Sequence, residues 1–156
     1  MEFFNNWWGF VSTRWDQVQI GLIEHSVYVV SVLGVASVFA IVLGVVTRRS
    51  PLARELSLAI SSVFLTIPSL ALFTIFIPLV GLGFAPSFLA LLLYSLLPIL
   101  RNTIAGLDGI DSSVLEAAKG MGLTPTQVLL RVQLPLAWPV IIAGIRVSAM
   151  LVVGVA

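Results

Sequence analysis

Four long stretches of the chain consist almost entirely of apolar residues and are separated by short polar segments. They cover, approximately, residues 26–46, 56–82, 87–107 and 134–156. A bilayer core about 30 Å thick requires about 20 apolar residues in helical form, so the stretches have the length and character of spans. The pattern predicts four transmembrane helices, of which the second is interrupted by Pro68 and Pro78.

The segment before the first span, residues 7–24, mixes apolar and charged positions. It contains Trp7, Trp8 and Trp15, and indole rings favour the headgroup level of a bilayer. We therefore predict an amphipathic helix that lies along the membrane surface.

Residues 108–133, between the third and fourth spans, are too polar to cross a membrane but carry two helix-start signals. Each signal is a capping box, in which a hydroxyl and a Glu or Gln three residues later accept each other's backbone N–H groups. The two are Ser113-Val114-Leu115-Glu116 and Thr124-Pro125-Thr126-Gln127, the second with proline at the first helical position. Gly120 and Gly122 lie between them and can supply the left-handed exit of the first helix. The pattern predicts two short helices joined by a glycine bend, the second ending near Val132.

Lysine and arginine are concentrated on one side of the predicted spans. The loop between spans one and two carries Arg48, Arg49 and Arg54, and the end of span three with the loop after it carries Arg101, Lys119 and Arg131. The turn between spans two and three has neither residue type, and the N-terminal segment has only Arg14. Since short loops rich in Lys and Arg stay in the cytoplasm, we predict an external N-terminus and a cytoplasmic 108–133 loop.

Composition supports the membrane interpretation. Of the 156 residues, 59% are hydrophobic and 10% are charged, whereas soluble domains carry about 25% charged residues. So few charges cannot cover a water-facing surface, and the predicted fold class is therefore an all-α integral membrane protein. The formal net charge of +1 leaves no basic field for nucleic acid, and the lack of cysteine excludes disulfides and thiolate metal sites.

The sequence offers no catalytic or metal-ligating constellation. Its single lysine, Lys119, is followed by Gly-Met-Gly, so no phosphate-binding loop of the G-x-x-x-x-G-K-[ST] type is present. His25 is the only histidine, and we interpret it as an interfacial polar residue at the mouth of the first span. The four predicted spans contain no carboxylate, which leaves a proton-coupled carrier without an obvious relay group.

Within the 108–133 loop and just after it, several residues stand at the spacing of a known motif. They are Glu116-Ala117-Ala118, Gly122, Val132 and Leu134-Pro135. The segment resembles the EAA loop of the permease subunits of ATP-binding-cassette importers, which usually have isoleucine where this chain has Val132. The resemblance implies a type I importer transmembrane fold, similar to that of methionine permeases. It also implies that the loop docks on a separate cytoplasmic ATPase, which binds ATP and Mg²⁺, while this chain binds no cofactor. The implied docking residues are Glu116, Ala117, Ala118, Gly120, Gly122, Leu134 and Pro135.

A second group of segments narrows the family. Leu97-Pro98-Ile99-Leu100-Arg101-Asn102-Thr103, Thr66-Ile67-Pro68-Ser69 and Ala143-Gly144-Ile145-Arg146 are similar to segments of the permeases that import glycine betaine, carnitine, choline or proline as osmoprotectants. The resemblance implies an importer in the inner or plasma membrane of a prokaryotic cell. The implied partners are the ATPase, a second permease subunit that is identical or homologous, and an extracellular or periplasmic substrate-binding protein.

Two other functions stay open at this point. Methionine and metal-chelate permeases share the architecture, so the chain could belong to a permease for another small solute, such as an amino acid. Family members also continue through at least one more span after the position of Ala156. We therefore expect a chain that is truncated at its C-terminus or is part of a permease, and a truncated, non-transporting scaffold that docks an ATPase is the second alternative.

Four polar side chains within the spans are candidates for the translocation path. Thr66 and Ser69 flank the break at Pro68, and Tyr94 lies in the middle of the third span, where an aromatic face suits a quaternary ammonium. Arg146 lies deep in the fourth span and is expected to face a polar interior. Each has a structural alternative: hydroxyls pack helices together, a tyrosine can be simply buried, and an arginine can snorkel or pair with a partner subunit.

Overall fold

The computed structural model describes residues 2–155, with side chains described from Trp7 onward. Within that range the regular elements are all helical, which confirms the all-α fold class. They are α1 (Glu2–Thr13), α2 (Trp15–Thr47), α3 (Pro51–Thr66), α4 (Ser69–Val80), α5 (Phe84–Asp108), α6 (Ser112–Gly120), α7 (Pro125–Val128), a π-helical turn (Leu129–Gln133) and α8 (Leu134–Val155). Three helical segments are long and apolar enough to cross a membrane: α2, α5 and the continuous stretch Pro125–Val155.

The second predicted span, residues 56–82, is not one helix. α3 and α4 meet at an angle of 102°, as in a broken span or a re-entrant loop. The break lies at Ile67, whose backbone is extended (φ −79°, ψ 129°) because Pro68 follows it and disfavours helical geometry in the preceding residue. Pro78, in contrast, lies inside α4 and does not end it. The expectation that both prolines interrupt this span was therefore wrong for Pro78.

The N-terminal helices also divide at a different place from the predicted one. The chain breaks at Arg14, and α2 then runs for 33 residues from Trp15 to Thr47, so residues 15–24 extend the first span instead of forming a separate surface helix. No proline interrupts this stretch, and a helix that has begun continues until its local sequence stops it. At 1.5 Å per residue α2 is about 50 Å long, longer than the hydrocarbon core. Arg14 places its guanidinium over the ring of Phe10, 4.6 Å from the centroid.

α5 is the centre of the bundle and packs against α2, α3, α4 and α8. Small residues permit the close approach of its neighbours: a Cβ built on Gly44 of α2 would lie 2.8 Å from the Thr103 methyl carbon of α5. A Cβ built on Gly144 of α8 would lie 2.7 Å from Asn102 Cβ and 2.8 Å from the Pro98 carbonyl oxygen. Small residues at such contacts are typical of membrane helices, which gain stability from close packing and not from hydrophobic burial alone.

The buried hydroxyl groups of Ser95, Thr103 and Ser148 have backbone partners. Ser148 of α8 donates to the Ser95 carbonyl of α5 at 2.9 Å, which joins the two helices directly. Ser95 and Thr103 donate to the carbonyls of Leu91 and Ile99, each one turn earlier in α5, at 2.8 Å. These bonds satisfy polar groups that would otherwise be costly in an apolar interior.

Candidate functional site

The first helix of the EAA loop, α6 (Ser112–Gly120), begins two residues earlier than the capping box predicted. Asp111 is its N-cap, and the carboxylate accepts the Ser113 backbone N–H at 2.8 Å. Hydrogen bonds from the backbone and then the side chain of Ser113 hold the pKa of the Asp111 carboxyl below its usual value. The prediction that Ser113 and Glu116 form a capping box was wrong, because the carboxylate two residues upstream takes the N-cap position. Glu116 is instead exposed on α6.

The exit from α6 is a complete Schellman motif centred on Gly122. The Gly122 N–H donates to the Lys119 carbonyl at 2.9 Å, and the Leu123 N–H donates to the Ala118 carbonyl at 3.3 Å. Gly122 has φ +79°, a conformation that glycine adopts at little cost, whereas Gly120 is still helical. The sequence did not decide between Gly120 and Gly122 as the residue of the bend, and in the structure the bend lies at Gly122.

The second helix of the loop has the predicted cap but not the predicted end. Thr124 and Gln127 form the capping box: the Gln127 N–H donates to Thr124 Oγ1 at 3.4 Å and the Thr124 N–H donates to Gln127 Oε1 at 2.9 Å. Instead of stopping near Val132, the helix passes through the π-helical turn into α8, and Pro125–Val155 is continuous over 31 residues. α7 and the last span are therefore parts of one continuous helix.

The π-helical turn accounts for this continuity. Pro135 lies two residues after it, and in a regular α-helix the ring of Pro135 would clash with the Arg131 carbonyl four residues earlier. The turn contains a wider bond, from the Leu134 N–H to the Leu129 carbonyl, which changes the path of the backbone before the proline. The helix thus accommodates Pro135 without breaking.

The implied docking residues do not all face outward. Glu116, Ala117, Gly120, Gly122 and Pro135 are exposed, Leu134 is half-buried and Ala118 is buried. Beside Gly122, the side chain of Met121 is 75% exposed, whereas Leu115 and Leu123 turn inward and are half-buried. The apolar side chains of α6 and of the turn after it are therefore divided between an outward and an inward surface.

Two polar contacts that the sequence did not indicate join the loops at this end of the bundle. Arg48, the C-cap of α2, donates from Nη1 to Gln133 Oε1 at 2.5 Å, and Arg54 of α3 forms an ion pair with Asp108 of α5 at 2.5 Å. Burial, and then the neighbouring charge of Arg49, lower the pKa of Arg48. The residues of each contact are 54 or more positions apart in the chain, so no local pattern could have indicated them.

The four candidates for the translocation path do not form one cluster. Tyr94 is buried, and its hydroxyl donates to the Ile67 carbonyl at the break between α3 and α4. Thr66 and Ser69 lie on either side of that break, and the Thr66 hydroxyl donates to the Val63 carbonyl at 2.7 Å. Arg146 is exposed on α8, away from the buried residues Gly144 and Ser148 of the same helix. The described residues include no group of His, Cys, Asp or Glu side chains that could hold a metal ion.

Comparison with known proteins gives the family. Residues 36–156 match the family "Binding-protein-dependent transport system inner membrane component". The chain is 40% identical over 145 residues to the choline transport system permease protein OpuBB of Bacillus subtilis, covering 93% of this chain and 67% of that protein. It is 42% identical over 122 residues to the carnitine transport permease protein OpuCB of Listeria monocytogenes, covering 78% and 55%.

A relative from a third organism is similar to the same degree. The osmoprotectant import permease protein OsmW of Salmonella typhimurium is 39% identical over 137 residues, covering 85% of this chain and 64% of that protein. The chain thus spans about half to two-thirds of the length of the relatives it matches. The match over residues 36–156 shows that the chain belongs to the family of binding-protein-dependent transport system inner membrane components, the type I permeases of ATP-binding-cassette importers.

Proposed function

We propose that the chain is the membrane-spanning permease part of an ATP-driven importer that moves osmoprotectants such as glycine betaine, choline, carnitine and proline into the cell. The observation that carries the proposal is an identity of about 40% to permeases named for choline, carnitine and osmoprotectant transport. The chain contributes the path and its coupling element. ATP and Mg²⁺ bind to a separate ATPase subunit, because the sequence has no phosphate-binding loop of its own.

The geometry of the EAA loop suggests how the ATPase acts on the path. The exposed side of α6, with Glu116 and Met121, docks on the ATPase, and the Gly122 bend orients α6 relative to α7. Since α7 continues into α8, rotation of the docked loop moves the last span against α5, which Gly144 and Ser148 contact closely. A second permease subunit, identical or homologous, completes the path, and an external or periplasmic binding protein delivers the substrate.

The proposed orientation places the N-terminus outside the cell or in the periplasm and the EAA loop in the cytoplasm. The chain lacks cysteine, so Ser12→Cys and Thr126→Cys each introduce a single thiol, and both positions are exposed. We expect a membrane-impermeant maleimide to label Ser12→Cys in intact cells and Thr126→Cys only after the cells are opened. Labelling of Thr126→Cys but not of Ser12→Cys in intact cells would show that the topology is inverted.

The substrate assignment is tested by uptake. The importer that contains this chain, reconstituted in vesicles with its ATPase and binding protein, should take up radiolabelled glycine betaine, choline, carnitine or proline when ATP is present and the osmolarity is raised. The matched control is the same vesicle loaded with a non-hydrolysable ATP analogue, which should show no accumulation. Uptake of methionine or a metal chelate without any of the four osmoprotectants would refute the substrate class while leaving the family and the coupling loop in place.

A further inference from the structure

A basic cleft lies where the EAA loop meets the ends of the spans. It has a volume of about 270 Å³, and its polar lining consists of Arg48, Arg49, Lys119 and Gln133. Arg48 and Arg49 follow the C-terminal end of α2, Lys119 is in the last turn of α6, and Gln133 immediately precedes α8. Three cations from two distant parts of the chain therefore share one concave surface, and no carboxylate is among the described residues that line it.

Among the described residues that line the cleft, none carries a negative charge that could compensate its three cations. Arg48 and Arg49 are adjacent in the chain and both line the cleft, so their positive charges repel each other. Burial first, and then the charge of Arg49, lower the pKa of Arg48. Asp108 acts on Arg48 in the opposite sense, but its carboxylate is in an ion pair with Arg54 at 2.5 Å. The Arg48 guanidinium donates to the Gln133 amide oxygen at 2.5 Å. This bond gives one Arg48 N–H group a partner but neutralises no charge. An anion in the cleft would relieve this repulsion.

The position and the walls of the cleft indicate which anion it holds. The bond between Arg48 and Gln133 places the end of α2 and the start of α8 side by side, so the cleft opens where two candidate spans leave the bilayer. Its remaining walls are apolar, with Leu115 and Leu123 among them. A phospholipid has both parts that such a site requires: a phosphate for the cations and an apolar glycerol and acyl region for the leucines. Anionic lipids also concentrate near Lys and Arg at membrane surfaces.

We propose that the basic cleft binds the phosphate group of an anionic phospholipid. The site does not depend on the substrate of the importer or on which leaflet supplies the lipid. Because Lys119 belongs to α6 and Arg48 and Arg49 follow α2, a lipid held by all three joins the EAA loop to the first span. The lipid thus stabilises the position from which α6 meets the ATPase.

The test uses the full chain purified in a neutral detergent. Native mass spectrometry and thermal unfolding are measured while phosphatidylglycerol, phosphatidylcholine or inorganic phosphate is added. The test variant is Arg49→Gln with Lys119→Gln; Arg48 is kept because it bonds to Gln133. The matched control is Arg101→Gln with Arg131→Gln, which removes the same charge from two exposed positions outside the cleft. Helix content and the melting temperature without lipid show that both variants are folded.

We expect the wild-type chain and the control to bind one tightly held phosphatidylglycerol that raises the melting temperature, and phosphatidylcholine to bind more weakly. The affinity of the test variant for phosphatidylglycerol should be lower by roughly tenfold or more, since each basic side chain near the surface contributes to the attraction. Unchanged binding by the test variant, or an equal loss in the control, would overturn the proposal. If inorganic phosphate raises the melting temperature and phosphatidylglycerol raises it no further, the ligand of the cleft is a free anion and the lipid site is refuted. If the cleft binds neither phosphatidylglycerol nor inorganic phosphate, and replacing Arg49 and Lys119 weakens only ATPase binding, the anion is a protein carboxylate and the lipid site is refuted.

Discussion

Replacement of Gly122 by aspartate is expected to abolish ATP-driven uptake while the protein stays folded in the membrane. Gly122 has φ +79° at the centre of the Schellman motif, where a residue with a Cβ costs about 1–2 kcal/mol. The new carboxylate would also stand beside the exposed side chain of Met121, in the surface that we propose docks on the ATPase. The spans are untouched, so membrane insertion should be normal, and the loss should be confined to coupling.

The matched control is Gly81→Asp. Gly81 also has a positive φ, +81°, with ψ −178°, a combination that is essentially restricted to glycine, but it lies in the turn after α4, far along the chain from the EAA loop. Both variants therefore carry backbone strain and the same added charge, and only Gly122→Asp places them in the EAA loop. The measurements are co-purification of the ATPase and uptake into vesicles. Normal co-purification with normal uptake in Gly122→Asp would contradict the docking assignment, and loss of ATPase binding in Gly81→Asp would show that strain anywhere has this effect.

Replacement of Gly144 by leucine is expected to separate α8 from α5 and to lower the melting temperature of the detergent-solubilised protein substantially. The first atom of any side chain at this position would lie 2.7 Å from Asn102 Cβ and 2.8 Å from the Pro98 carbonyl oxygen. A backbone atom cannot move aside as a flexible side chain can, so the helices must shift. Overpacking of this kind costs about 1–3 kcal/mol and occasionally more. The shift would also strain the bond from Ser148 to the Ser95 carbonyl.

Gly34→Leu is the control for this variant. Gly34 lies in α2 with no atom within 4 Å of a built Cβ, so leucine there enters open space on an exposed face. Glycine is roughly 0.8–1 kcal/mol less favourable than alanine in a helix, and leucine is close to alanine, so Gly34→Leu should leave the melting temperature unchanged or raise it slightly. Equal melting temperatures for Gly144→Leu and the wild type would mean that α5 and α8 do not pack closely at this point. Equal destabilisation by both variants would mean that leucine disturbs helices in general.

Several features could be read from the sequence because they depend on neighbours in the chain or on the bilayer. Long apolar runs predict helices that cross a membrane whatever surrounds them, since an unpaired backbone group in lipid is costly. Thr124, Pro125 and Gln127 form their capping box within a span of four residues. The EAA motif and the osmoprotectant segments likewise led to the family that residues 36–156 match. The docking roles of these residues stay predictions.

Other features depended on residues that compete for one position. Both Asp111 and Ser113 are good N-cap residues, and the structure selects Asp111. Both Gly120 and Gly122 can take a left-handed conformation, and only Gly122 does so. Pro68 and Pro78 are chemically identical, yet only Pro68 marks a break. At Pro68 the buried Tyr94 hydroxyl supplies a donor for the Ile67 carbonyl, so the break has a partner in α5 that the local sequence does not contain.

The sequence by itself thus determined the class of protein, the apolar stretches, the loop with its motif and the glycine bend, because composition and short-range hydrogen bonds decide these. Only the tertiary structure decided that the Tyr94 hydroxyl donates to the Ile67 carbonyl at the α3–α4 break. It also decided that Arg146 lies on an exposed side of α8 and that α7 continues into α8 as one helix. It alone brought Arg48, Arg49 and Lys119 into one cleft. The physical reason is separation along the chain: α2, α5 and α8 contact one another through residues many turns apart, and the burial of each side chain follows from which helices pack against it.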